Sequence, residues 1–459
     1  MIPKILFVWG IILLDPFGLN SATSRQSEAI FTRLFAPFYD RSGQDRITSV
    51  VITDDAAERI AGTYPLPFAD HARIVRRILC LDPAAVFIDL NFRHIRGDEN
   101  GLAQFVDALS HRSGPEGCDR LPVDRLSDPT TAPVLLAVVK NTNSSCPSLL
   151  DGDHEGCSFM SPLRALLTVT TPIDVTGMIE NDRYRLVWTS ASGGEVLSPA
   201  ASLVATLCNQ QRVTAPACGL DTKDIAKPML VRWGYYLSPL TASRFGNLDP
   251  CETTSGDGLA VSQKWKSLGA ILLRDLTWAF SGSASREQPT QPCLYTDAVE
   301  ADHFLRPDVN SDPVLRALVK DRIIVYGADI TALPDQVVSP VHGKVPGLFI
   351  HAMAADNLLT LGTQYWRDPP KIFFWDLSTV IELIFMAVLI VSVSLLRPHG
   401  CGAKRLFAIV FPVALLSVAF ALTAVCAIAP LNCVLAICTQ LVVAIAEYGP
   451  DDARIATKR

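Results

Sequence analysis

The chain has 459 residues, 49% hydrophobic and only 19% charged, with a mean hydropathy of +0.27. Soluble globular proteins carry about 25% charged residues, so the composition predicts a chain partly shielded from water. A net charge of −6 and a pI near 5.8 give no basic footprint for nucleic acid, and ordinary Gly and Pro contents exclude collagen-like and Pro-rich disordered chains.

Residues 1–14 open with Lys4 and the apolar run Ile5 to Leu14, closed by Asp15-Pro16. That run is short for a span of about 20 residues. It reads as an uncleaved anchor, with a signal-peptide core or a misplaced start as alternatives.

From 15 to 371, short apolar runs alternate with helical patterns. This predicts an α/β domain, a mainly parallel sheet with flanking helices. Strands are expected at 47–53, 84–88, 134–139 and 323–326, and helices at 68–81 and 348–359. The stretches 110–130 and 141–160 are polar and read as loops. Residues 238–315, rich in Ser, Thr, Asp, Gly and Pro with a helical patch at 262–280, read as an insertion.

Beyond the domain, Leu406 to Ala446 contain no charged side chain. One helix of that length would run about 60 Å, twice the hydrocarbon core, so a fold-back is expected at Ala429-Pro430-Leu431-Asn432. With the apolar run at 372–396, this predicts three membrane helices within 372–447, at 372–396, 406–428 and 431–447, and a tail at 448–459. Lys4, the basic turn Arg397, Lys404 and Arg405, and Lys458-Arg459 all place their segments in the cytoplasm. The domain at 15–371 then lies outside the cytoplasmic membrane, in the periplasm or outside the cell.

The cysteines agree with that compartment. Cys80, Cys118, Cys146, Cys157, Cys208, Cys218, Cys251 and Cys293 fall in the exported region, an even set suited to disulfides. Cys401, Cys426, Cys433 and Cys438 fall in or beside the membrane helices. Pairing of neighbours, Cys146 with Cys157 and Cys208 with Cys218, is the economical expectation. Zinc lacks a C-x-x-C pair or a nearby His pair, so no metal is expected.

Several blocks carry a family resemblance. They are Val50-Val51-Ile52-Thr53-Asp54-Asp55-Ala56 with Phe87-Ile88-Asp89, then Gly177-Met178-Ile179-Glu180 and Ser198-Pro199-Ala200-Ala201, then Met229-Leu230-Val231-Arg232-Trp233-Gly234. The most specific is Val325-Tyr326-Gly327-Ala328, followed by Asp335, Pro340 and Val345-Pro346-Gly347-Leu348-Phe349-Ile350-His351-Ala352, ending in Asp356-Asn357-Leu358-Leu359. The chain resembles the second type of the CHASE sensory domain, an extracellular module of bacterial adenylate cyclases, histidine kinases and related receptors. The resemblance implies a sensory input module ahead of a membrane triplet. It implies no enzymatic output, since this sequence stops about a dozen residues after its last expected helix.

The candidate chemistry is sparse. Asp54, Asp55, Asp89 and Asp329 fall at the carboxyl ends of expected strands, where open α/β sheets place ligands, or else they cap helices and turns. His351 is a buried imidazole pinning strand to helix, or a ligand or proton sensor. Asp151-Gly152-Asp153-His154-Glu155-Gly156 starts like a calcium loop, but Pro162 replaces the bidentate Glu. Glu382 is the acidic residue well inside an apolar helix. It faces protein through Ser417, Thr423, Gln440 or a second copy, or it reaches the interface. No nucleophile, phosphate-loop or dinucleotide motif is present, so neither an enzyme nor a cofactor is expected.

The expected function is a membrane-anchored receptor that binds an unknown extracytoplasmic ligand or protein and passes the signal through its helices to a separate output partner. The alternative is an oligomerising membrane effector or scaffold, forming a pore or a homodimer.

Overall fold

A computed structural model describes residues 18–92, 97–110, 132–138, 162–175, 178–189, 194–211, 214–242, 261–281, 294–333, 335–372 and 375–396, with isolated positions among 9–15 and 410–432. The chain divides into two compact units, Ala36–Tyr365 and a second comprising Met1–Phe35 and Trp366–Arg459. Helix Leu19–Phe35, assigned by the sequence to the exported domain, thus groups with the C-terminal residues.

The larger unit is built on a parallel sheet. Strand β1, Ile47–Thr53, is a β-branched run buried on both faces, as parallel strands between two helix layers are. Thr53 then caps helix α1, Asp54–Ala61, by accepting from the Ala56 amide at 3.1 Å. Asp54 and Asp55 occupy its first turn, where acidic groups suit the helix dipole. They follow the strand rather than ending it. In helix α2, Phe68–Cys80, the buried Phe68, His71, Ala72, Val75 and Ile78 recur at helical spacing. Strand β2, Ala85–Asp89, helix α3, Glu99–Ser110, and strand β3, Val134–Val138, follow. Next come helix α4, Ala165–Val169, and strand β4, Thr171–Asp174.

Short strands β5, Ile179–Glu180, and β6, Arg183–Tyr184, pair antiparallel, as do β7, Val187–Thr189, and β8, Glu195–Leu197. Helix α5, Pro199–Asn209, starts with Ser198 accepting from the Ala201 amide and Pro199 in its first turn. Strand β9, Met229–Leu230, lies against β6. Helices α6, Pro239–Ala242, and α7, Val261–Ser281, lead to strand β10, Asp297–Glu300. Helix α8, Pro313–Val319, repeats the start of α5, with Asp312 accepting from Val314 and Leu315. Strand β11, Ile323–Asp329, hairpin strands β12, Gln336–Ser339, and β13, Gly343–Pro346, and helix α9, Leu348–Leu361, complete the unit.

The main sheet has the order β10-β1-β11-β2-β3-β4, all parallel. Side chains alternate between its faces with period two. Val50, Ile52, Val86, Ile88, Ile324 and Tyr326 face one core with α2, α3 and α8. Ile47, Val51, Phe87, Leu135 and Val325 face the other with α5 and α9. The region read as an insertion therefore contributes an edge strand of this sheet. Thr241, from the same region, is fully buried and holds Asp297 and the Ala298 amide at 3.0 and 2.9 Å.

Cys208 and Cys218 form the expected disulfide, Cys80 is disulfide-bonded too, and Cys426 is a free, exposed thiol. The other cysteines, the calcium-like loop and most of 397–459 lie outside the described residues. In the second unit, Lys371–Ile372 and Trp375–Asp376 pair as an antiparallel hairpin, so the helix that follows runs Leu377–Leu396 rather than from 372. Among the described residues, no helix is long and apolar enough to cross a membrane.

Candidate functional site

The carboxyl edge of the sheet gathers the sequence candidates. Thr53 pairs with Asp329 and Gly327 with Asp89, so β1, β11 and β2 end side by side. Asp54 accepts from the amide and hydroxyl of Thr331 at 3.0 and 2.6 Å, tying the loop after β11 to the start of α1. Asp329 is raised by partial burial and by the charge of Asp54. Asp54 and Asp55 are exposed, and Asp54 fastens the edge.

Asp89 and His351 come together in a buried polar cluster. His351 Nε2 lies 3.7 Å from Asp89 Oδ2, and its Nδ1 is 2.9 Å from the Tyr184 hydroxyl. The Ala200 amide donates to the same hydroxyl at 3.5 Å, which ties the start of α5 to the cluster. The imidazole stands edge-on to Phe87 and Tyr184, at 5.4 and 5.7 Å between ring centroids. Asp335 closes the cluster. Its carboxylate presses on Gly347, where an added Cβ would collide with it, and its carbonyl accepts from the Gly347 amide at 3.0 Å. Gly327 is likewise set by close approach, since a Cβ there would crowd Leu348 and the Asp89 carbonyl.

Burial dominates the electrostatics. It pushes the Asp89 carboxyl up to about 7 and the His351 imidazole down to about 4, the latter opposed by Asp335. Asp335 is raised by burial and by Asp89, against His351, and the Tyr184 hydroxyl is raised mainly by burial. Near neutrality His351 is uncharged and Tyr184 keeps its proton. The His351 Nε2 faces Asp89 across a gap too long for a hydrogen bond. The cluster joins β2, β6, α9 and the segment before β12.

Further along α9 is a second polar group, absent from the sequence candidates. The Tyr39 hydroxyl donates to Asp356 at 2.6 Å, and the Asn357 side chain bonds both the amide and the carbonyl of Arg232 at 2.9 Å. The Arg232 guanidinium sits 5.5 Å from the Tyr39 ring centroid. Burial raises Asp356 to about 7. The signal in the sequence was the polar pair Asp356-Asn357 inside an otherwise apolar helix.

Glu300, Asp302 and His303 could offer a cation three ligand atoms within 4.8 Å of one another. Arg59 bonds both of these carboxylates, at 2.6 and 2.8 Å, and already supplies positive charge there. Glu382, in the second unit, accepts from the backbone amide of Asn432 at 3.2 Å.

Among known proteins, the family profile of the CHASE2 domain matches residues 6–395. No curated protein and no solved structure matches the chain. The match takes in both halves of the parallel sheet, the Asp89–His351 cluster, the N-terminal apolar run from Leu6 and all but the last residue of helix Leu377–Leu396. The chain belongs to the CHASE2 domain family, a family of extracytoplasmic sensory domains.

Proposed function

We propose that this protein is a membrane-anchored receptor whose Ala36–Tyr365 unit lies outside the cytoplasmic membrane. It reads its signal at the carboxyl edge of the sheet and passes it through apolar helices to an output partner. The observation that carries the reading is the CHASE2 family match over residues 6–395, and the apolar character of helix Leu377–Leu396 on both faces accords with it. Leu383, Met386 and Leu389 are buried, while Ile384 and Val388 on the opposite side are 56% and 47% exposed. A helix that is apolar all round suits a surrounding of lipid rather than water. The domain's two flanks, residues 1–35 and 366–459, also group in one unit, which accords with anchoring at both ends. We read no turnover into the site, and the unknown ligand is a molecule or protein of the outer compartment.

Topology tests the reading. Alkaline phosphatase fused after Asn310 should be active and the same fusion after Gly402 inactive, because Arg397, Lys404 and Arg405 hold that turn inside. The reverse pattern would overturn the receptor and its oxidised cysteines together.

A further inference from the structure

In the second unit, three segments far apart in sequence meet at one residue. Asn432 is 3% exposed and is held through its backbone amide and both polar atoms of its side chain. The backbone amide donates to Glu382 Oε1 at 3.2 Å, and Nδ2 donates to Thr23 Oγ1 at 2.9 Å. Its Oδ1 accepts from the buried Ser27 hydroxyl at 3.3 Å. Thr23 and Ser27 are one turn apart on helix Leu19–Phe35, which leads into the sensory unit. Glu382 is on the helix that leaves it.

The same turn is held at its other end. The Arg367 amide donates to the Ala427 carbonyl at 3.2 Å, and the Ala429 amide donates to the Arg367 carbonyl at 2.9 Å. Arg367 follows Trp366, whose ring meets Phe35 edge-on at 5.2 Å. Ala427, Ala429 and Asn432 are thus gripped by the segment before the sensory unit and by the segment after it.

We infer that the residues held here, Ala427, Ala429 and Asn432, are the relay of this receptor, called the turn for the fold-back the sequence predicts there. Movement of the two flanking segments reaches the last apolar stretches of the chain sideways, through Asn432, Glu382 and Arg367, and not along helix Leu377–Leu396 alone. The chemistry explains the residue at 432. Asp could not donate to Thr23, and Leu could neither donate to Thr23 nor accept from Ser27. It also gives Glu382 its role as acceptor for an amide in a turn.

The inference rests on the proposed receptor topology, and the test separates the two. Cys426 is a free, exposed thiol beside the turn, so its alkylation reports on how firmly the turn is held. In the full chain in sealed membranes, a membrane-impermeant maleimide is applied from either side and the Cys426 peptide is quantified by mass spectrometry. Thr23→Val, Ser27→Ala and Glu382→Leu should each speed labelling about fivefold, the factor for one lost hydrogen bond, and Asn432→Leu, which loses two, about 25-fold. Ser27→Ala combined with Asn432→Leu should be no faster than Asn432→Leu alone. Glu382→Gln keeps an acceptor oxygen and should label at the wild-type rate, which separates loss of the bond from loss of folding. Unchanged rates in all four variants, or additive effects of Ser27→Ala and Asn432→Leu, would overturn the relay. Labelling confined to the cytoplasmic side would overturn the receptor topology instead, whatever the variants show.

Discussion

Replacing Asp89 by Asn should make the protein more stable at high pH while changing little at low pH. Burial holds the Asp89 carboxyl at about 7 against an ordinary value of 3.8. A carboxyl that keeps its proton in the fold binds it more tightly there than in the unfolded chain. Folded stability therefore falls as pH rises from about 4 to about 7 and stays level above that. The full difference corresponds to about 4 kcal/mol. Asn has the same shape and does not titrate. The gap between variant and wild type should thus shift toward the variant by up to about 4 kcal/mol between pH 4 and pH 8. Its midpoint should fall within that window. His351 does not cancel the difference, because it is present in both proteins. Denaturant unfolding of the full chain in detergent, followed by near-ultraviolet circular dichroism at a series of pH values, measures the gap. Parallel pH profiles for the two proteins would refute the reasoning. They would show that Asp89 ionises in the fold as it does in water, and that the sheet edge is wet.

Two further variants probe the frame that holds the site. Arg322→Met leaves Asp297, fully buried and 2.5 Å from the lost guanidinium, without its charge partner, and should cost about 3–5 kcal/mol in the same unfolding assay, while Arg322→Met with Asp297→Leu should recover most of it. Cys208→Ser with Cys218→Ser opens a loop of sequence separation 10 and should cost about 3 kcal/mol, read as a lower unfolding midpoint in the same assay without reductant.

The strands that build the centre of the sheet were legible because they are short, apolar on both faces and bounded by turn residues. Ile47–Thr53 was readable to the residue, and 84–88, 134–139 and 323–326 were readable to within a few positions. Strand order was not, because periodicity says which residues are buried and nothing about which strand lies beside which. For that reason the sequence reads β10 as part of an insertion. The candidate site was half legible. Asp89 and His351 fall in recognisable blocks, but Tyr184, which orients the imidazole, sits on a two-residue strand with no periodicity of its own. Asp54 and Asp55 stand in the first turn of the helix after β1, because a carboxylate after a strand serves a helix N-terminus as readily as a ligand. The partner of Glu382 was illegible for a different reason. It is a backbone amide, which every residue but proline offers.

The place of β11 between β1 and β2 has a consequence for how the protein is made. β1 and β2 share no ladder of their own, and each bonds instead to a strand that begins at Ile323. Until that strand has been synthesised and exported, two apolar strands expose unpaired edges, a template for aggregation. The sheet must close late, across a long loop, which is slow on entropic grounds. A chain cut short before residue 323 can form only the separate ladders β10-β1 and β2-β3-β4, each with an open edge where β11 would lie. It should be degraded or aggregate rather than accumulate as a partial sensor, and the emerging chain has reason to depend on holding chaperones until β11 arrives.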